Sequence, residues 1–217
     1  MAGTAVARLL QPRRAGLWLE WAAIFIGGPL AVLAIHRGGV LFLALWLGAI
    51  IAWIGTRGRP SMPGPVVRRE LRAIGLRFLV LAPLIAATTW LLLPESFLSL
   101  PRERPLFWAL IMVLYPLLSV WPQEMLYRSL LFHRYRPLFG ADSRLTLVSA
   151  AAFGFAHVIF LNWIAVAMTA AGGFLFARDY ARHRSLPLTC IEHSLYGCLI
   201  FTVGLGRFFY TGAAWHH

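Results

Sequence analysis

Eight residues, Trp121-Pro122-Gln123-Glu124-Met125-Leu126-Tyr127-Arg128, set a carboxylate, a carboxamide and a guanidinium into a run otherwise built for lipid. An ionisable side chain at membrane depth costs about 2.5 to 3.5 kcal/mol or more, so it persists where it pairs, lines a cavity or does chemistry. The membrane setting follows from composition. Of 217 residues 59% are hydrophobic and 13% are charged, and mean hydropathy is +0.71, whereas soluble domains carry roughly 25% charge.

Stretches of the length needed to cross hydrocarbon occur at Leu17 to Ile35, Gly39 to Ile54, Ala73 to Leu93, Leu106 to Trp121, Leu145 to Leu161, Trp163 to Ala177 and Leu186 to Leu205. They predict an all-α polytopic bundle of about seven transmembrane helices around a buried polar cavity. The first run follows Arg8, Arg13 and Arg14, but it is too long for a secretory signal, carries Glu20 and lacks a small-x-small cleavage site, so it reads as a retained span. The chief linker, Thr56 to Arg72, is broken by Pro60, Pro63 and Pro65 and reads as a basic loop resting on headgroups. Cys190 and Cys198, eight apart in one apolar segment, are about 12 Å apart along a helix axis, too far for a disulfide. The His216-His217 pair is assigned nothing.

The net charge of +12 comes from basic residues that are all arginine. They fall between apolar runs and leave no soluble basic domain, which favours lipid headgroups over nucleic acid as their partner. With the N-terminus inside, 15 arginines lie on the inner side, and Arg37, Arg102, Arg104 and Arg207 lie on the outer side. Arg128 alone lies in the membrane. This asymmetry predicts a cytoplasmic N-terminus and an outer C-terminus.

Glu124 and Arg128, four apart on a helix, share a face and can pair. His157, in Phe153-Gly154-Phe155-Ala156-His157, and His193, in Glu192-His193-Ser194-Leu195-Tyr196-Gly197, each occupy another apolar helix. At about 1.5 Å per residue from the inner ends, Glu124 stands at about 15 Å, His157 at about 20 Å and His193 at about 12 Å, in one middle layer. A carboxylate and two imidazoles at one depth can do proton-transfer chemistry on water, and an imidazole or amide beside them can stabilise an oxyanion. Gly154 and Gly197 let a backbone or a substrate come close. Glu192, next to His193, points about 100° away around the helix, toward another helix or the interface. Pro116 and Pro122 predict a kink where Gln123 and Glu124 sit.

The run Gln123-Glu124-x-x-x-Arg128, then Phe153-x-x-x-His157, then His193 on a later helix, resembles the E-E-x-x-x-R, F-x-x-x-H and H-x-x-x-N motifs of the CAAX protease and bacteriocin-processing (CPBP, or Abi) family of intramembrane endopeptidases. The resemblance divides the chain into N-terminal spans with a basic loop (1–105), a catalytic helical core (106–205) and a short tail (206–217). It implies hydrolysis of a membrane-embedded or membrane-tethered peptide by Glu/His-activated water, with Glu124, His157 and His193 catalytic and Gln123, Arg128, Asn162 and Gly197 supporting. Gln123 stands for the family's first glutamate and cannot take a proton, which moves the base role to Glu124. Gly197 stands for asparagine and removes an oxyanion donor that Asn162 or Cys198 could partly replace. The glutamate-dependent reading needs no cofactor, while Glu124, His157 and His193 match a His₂Glu zinc set by type. Two other readings stay open: a catalytically degenerate relative that binds a peptide or partner, and a bis-His haem protein ligated by His157 and His193. The expected location is a bacterial inner membrane. A reporter fused to the C-terminus is expected to be active on the outer side of the membrane, and one inserted in the Thr56 to Arg72 linker only on the cytoplasmic side; the reverse pattern overturns the topology.

Overall fold

The computed structural model describes residues 12–35, 37–56 and 64–210; Arg8, Arg57, Arg59, Pro60, Pro63 and His216-His217 lie outside them. Among the described residues every regular element is helical. Helix α1 is Pro12–Ala22, continued by a π turn Ala23–Gly27 and by Gly28–Ile35; α2 is Gly38–Thr56, α3 Gly64–Leu92 and the short α4 Ser99–Glu103. Helix α5 starts as Pro105–Tyr115 and passes through a π turn Pro116–Val120, Trp121–Glu124, a second π stretch Met125–Leu130 and Leu131–Arg134. The short α6 is Arg136–Phe139, α7 is Asp142–Ala156 with a 3-10 turn His157–Phe160, α8 is Trp163–His183, and α9 is Leu186–Val203 before a last 3-10 turn, Leu205–Phe209.

Helices stand at all seven expected places, and the chain is an all-α membrane bundle. Among the described residues the helices differ in length and apolarity. Five runs are long and apolar enough to cross a membrane: Arg14–Ile35, Val66–Leu92, Pro105–Arg134, Asp142–Phe160 and Leu186–Val203. Gly39–Ile54 is apolar but shorter, and α8 carries Arg178, Asp179 and Arg182 in its last turns. The basic loop also ends earlier than expected. Helix α3 begins at Gly64 instead of Ala73, because Pro65 falls in the first turn, where no backbone N–H is needed. Arg68, Arg69 and Arg72 are therefore helical.

Polarity is arranged inside out. Leu106 and Trp163 are 87% and 77% exposed, as lipid-facing residues are, while Glu124, Arg128, Asp179 and Glu192 have no exposed surface. A close seam joins α7 to α8, where a Cβ on Gly154 would stand 2.8 Å from that of Ala170, and one on Gly173 would stand 3.0 Å from the Phe153 ring. Small residues let these two backbones approach, the usual basis of packing between helices in lipid.

The two prolines of α5 act through register. Pro122 has no N–H for the carbonyl of Leu118, four residues earlier, and the Trp46 indole on α2 donates to that carbonyl at 3.1 Å. Near the start of α5, the Trp108 indole donates to Thr202 Oγ1 at 3.0 Å and ties α5 to α9. Replacing Trp46 by Phe keeps the ring and removes this hydrogen bond, so thermal unfolding in detergent should show a loss of about 0.5 to 1.5 kcal/mol; an unchanged melting curve removes the bond from the account of how Pro122 is accommodated.

Candidate active site

Glu124 ends the short α-helical segment between the two π stretches of α5 and faces α9. His193 Nδ1 lies 2.8 Å from Glu124 Oε1. Because the carboxylate can only accept, Nδ1 carries the hydrogen and donates it, and Nε2 of the neutral ring keeps its lone pair. Glu124 Oε2 lies 3.2 Å from Arg128 Nε, so the expected pair within one helix is present and fully enclosed.

Arg128 reaches across to α8. Its Nη2 donates to the Gly173 carbonyl at 3.4 Å, and its guanidinium carbon stands 4.5 Å from the Phe153 ring centre and 5.6 Å from that of Phe176. These aromatic faces supply the attraction that water would give elsewhere. Phe176 also stacks on His193, with ring centres 4.8 Å apart and planes 21° apart.

His157 sits at the join of α7 and its 3-10 turn. Its Nδ1 lies 2.7 Å from the Phe153 carbonyl oxygen four residues earlier, to which it donates, leaving Nε2 as an acceptor. The Phe153 ring touches both imidazoles, with centres 4.7 Å from His157 and 5.5 Å from His193. One aromatic residue thus separates and aligns the two histidines of the shared middle layer.

The other expected site residues have different placements. Gln123 turns away from Glu124 and donates to Ser119 Oγ of its own helix at 2.8 Å; its Oε1 is buried without a hydrogen-bond partner. Asn162 caps α8: its Oδ1 accepts from the Ala165 N–H at 2.8 Å, and its Nδ2 donates to the carbonyls of Phe160 and Phe208. Both ends of the Asn162 amide are thus engaged with backbone groups. The thiol at Cys198 is free, and the space beside Gly197 is filled by the Tyr115 side chain, on which a Cβ at 197 would impinge. The Tyr115 hydroxyl stands 3.1 Å from His193 Nε2.

Among the described residues no three His, Cys, Asp or Glu side chains are arranged to hold a metal ion; Glu124 and His193 are hydrogen-bonded to each other instead of facing a common centre. Of the two ring nitrogens of His193, Nδ1 is bonded to Glu124 and Nε2 faces the Tyr115 hydroxyl.

A second buried charge cluster was not legible as such. Arg77 of α3 pairs with Asp179 of α8 and, at 3.1 Å, with Glu192 of α9. Glu192 does face another helix, as its position beside His193 implies. Arg77, counted among the inner headgroup arginines, is instead a largely covered ion-pair partner with 19% of its side chain exposed.

Substituting Arg128 by Met strands the Glu124 carboxylate in a fully covered place and should cost about 3 to 5 kcal/mol in thermal unfolding. Removing both charges, as Glu124→Leu with Arg128→Met, should cost less than the single change. Equal losses would mean that packing, and not charge, explains the effect.

Residues 105–199 match the family described as type II CAAX prenyl endopeptidase Rce1-like. The match takes in Tyr115, Glu124, Arg128, His157 and His193. The chain matches no curated protein and no solved structure.

Proposed function

Because its core, residues 105–199, belongs to the Rce1-like CAAX endopeptidase family, we propose that this integral membrane protein is an intramembrane endopeptidase that cleaves a membrane-embedded or membrane-tethered peptide. The observation that carries this reading is the buried Glu124–His193 hydrogen bond, which presents an imidazole lone pair at membrane depth. Glu124 has no exposed surface and both of its oxygens face partners, so the base role expected of it passes to His193.

In this mechanism Glu124 holds Nδ1–H, and His193 Nε2 takes a proton from water as the water oxygen bonds to the peptide carbonyl carbon. The carbonyl electron pair moves onto its oxygen. His193 then returns the proton to the peptide nitrogen as the C–N bond breaks, giving a carboxylic acid and an amine. Arg128 balances the charge that Glu124 brings into the interior, and His157 Nε2 offers a second acceptor that orients the water. An apolar groove of about 1080 Å³ lies along α5 and α9, lined by Trp46, Phe78, Leu117, Trp121, Ile191 and Ser194 among others. It runs beside both helices that carry the dyad and suits a hydrophobic segment arriving from the lipid. The arginine asymmetry supports an N-terminus on the cytoplasmic side.

Gln123 favours a second reading, a degenerate relative that binds a peptide without cleaving it. The two readings part on one comparison of membrane peptides from cells carrying the parent, His193→Ala or Gln123→Glu. The peptidase reading expects products in the parent that fall by about 10²- to 10⁴-fold with His193→Ala at equal protein level in the membrane. The binding reading expects no products from the parent and new ones from Gln123→Glu. Undiminished products from the His193 variant would rule out the proposed base.

A further inference from the structure

The place four residues after His193 is occupied from elsewhere in the chain. Gly197 offers no side chain, and the Tyr115 ring and hydroxyl fill the space that a side chain there would take. The ring is held edge-on by His193 and Phe201, with centres 6.1 and 5.3 Å away, and its hydroxyl lies 3.1 Å from His193 Nε2. Since Nδ1 donates to Glu124, Nε2 of the neutral ring can only accept, and the Tyr115 O–H is the donor in this contact. A hydrogen-bond donor therefore ends beside the one ring nitrogen that faces the reaction.

We propose that Tyr115 is a catalytic residue whose hydroxyl donates to the scissile carbonyl oxygen as that oxygen takes on negative charge. The proposal rests on the peptidase reading and assigns its missing donor. In the resting site the hydroxyl covers Nε2. When a carbonyl arrives, the hydroxyl turns its hydrogen from Nε2 to the carbonyl oxygen, and a small shift of the Tyr115 side chain away from the 3.1 Å contact admits water to the Nε2 lone pair. The phenol keeps its proton throughout; the proton that moves goes from water to His193 and then to the leaving nitrogen.

The test uses the full chain in liposomes with a quenched fluorescent peptide spanning a site whose cleavage in cells requires His193. Tyr115→Phe should lower kcat by about 10²- to 10³-fold while KM changes by less than about threefold. A fall in KM-dependent binding alone, or a kcat within about threefold of the parent, overturns the donor role. If removing the hydroxyl lowers the melting temperature by more than about 5 °C, the decision passes to a pair of variants. Tyr115→Ala with Gly197→Asn should then be at least about tenfold faster than Tyr115→Ala alone, because the amide enters the vacated space, and equal rates overturn the proposal. A parent that yields no product in cells overturns the peptidase reading, and this inference with it. A parent that cleaves alongside an equally active Tyr115→Phe overturns this inference only.

Discussion

The buried contact among Arg128, Glu124 and His193 constrains the rest of the fold. A carboxylate and a guanidinium on one helix can neutralise each other, yet a pair facing lipid would still lose its hydration without replacement. Here α9 supplies the imidazole on Glu124 Oε1, while α8 supplies the Gly173 carbonyl and the Phe176 face. Helix α7 adds the Phe153 ring. The small residues of the α7–α8 seam serve the same end, since a side chain at Gly173 would crowd Phe153. Packing and charge compensation therefore have one solution, and it places both histidines against one aromatic ring.

How much of this was readable depended on whether a contact follows regular helical spacing. Glu124 and Arg128 are four apart, and the histidines announced themselves as polar residues in apolar helices at one depth. Tyr115 could not be found that way. Nine residues before Glu124 is two and a half turns of α-helix, which puts it on the opposite face. The π turn Pro116–Val120 takes up an extra residue per hydrogen-bonded loop and rotates Tyr115 relative to Glu124. A proline at the head of that turn was visible, but it suggested a kink instead of a change of register. Asn162 was the reverse case, since an asparagine just before an apolar helical run is an ordinary cap signal. Arg77 was hidden by its position near the start of an apolar run, where arginines usually reach headgroups.

Gln123 and Gly197 show how far a motif and a site can diverge. As letters they are two losses from a pattern. In space, Gln123 bonds to Ser119 on its own helix, and the vacancy at Gly197 is taken up by a residue 82 positions earlier on α5. Chemical groups at a site need not stay at the same place in the chain, provided another helix can deliver an equivalent group to the same atom.

The Arg77 cluster has a consequence for assembly in time. Its partner Asp179 follows it by 102 residues, so α3 enters the membrane long before the acid that neutralises it has been synthesised. Until α8 and α9 arrive, the guanidinium has to reach back to the headgroups along its own aliphatic stem. Helix α3 is thereby held near the interface as a provisional span, and the bundle is closed from its C-terminal end: the last helices to be made are those that lock the third one in place.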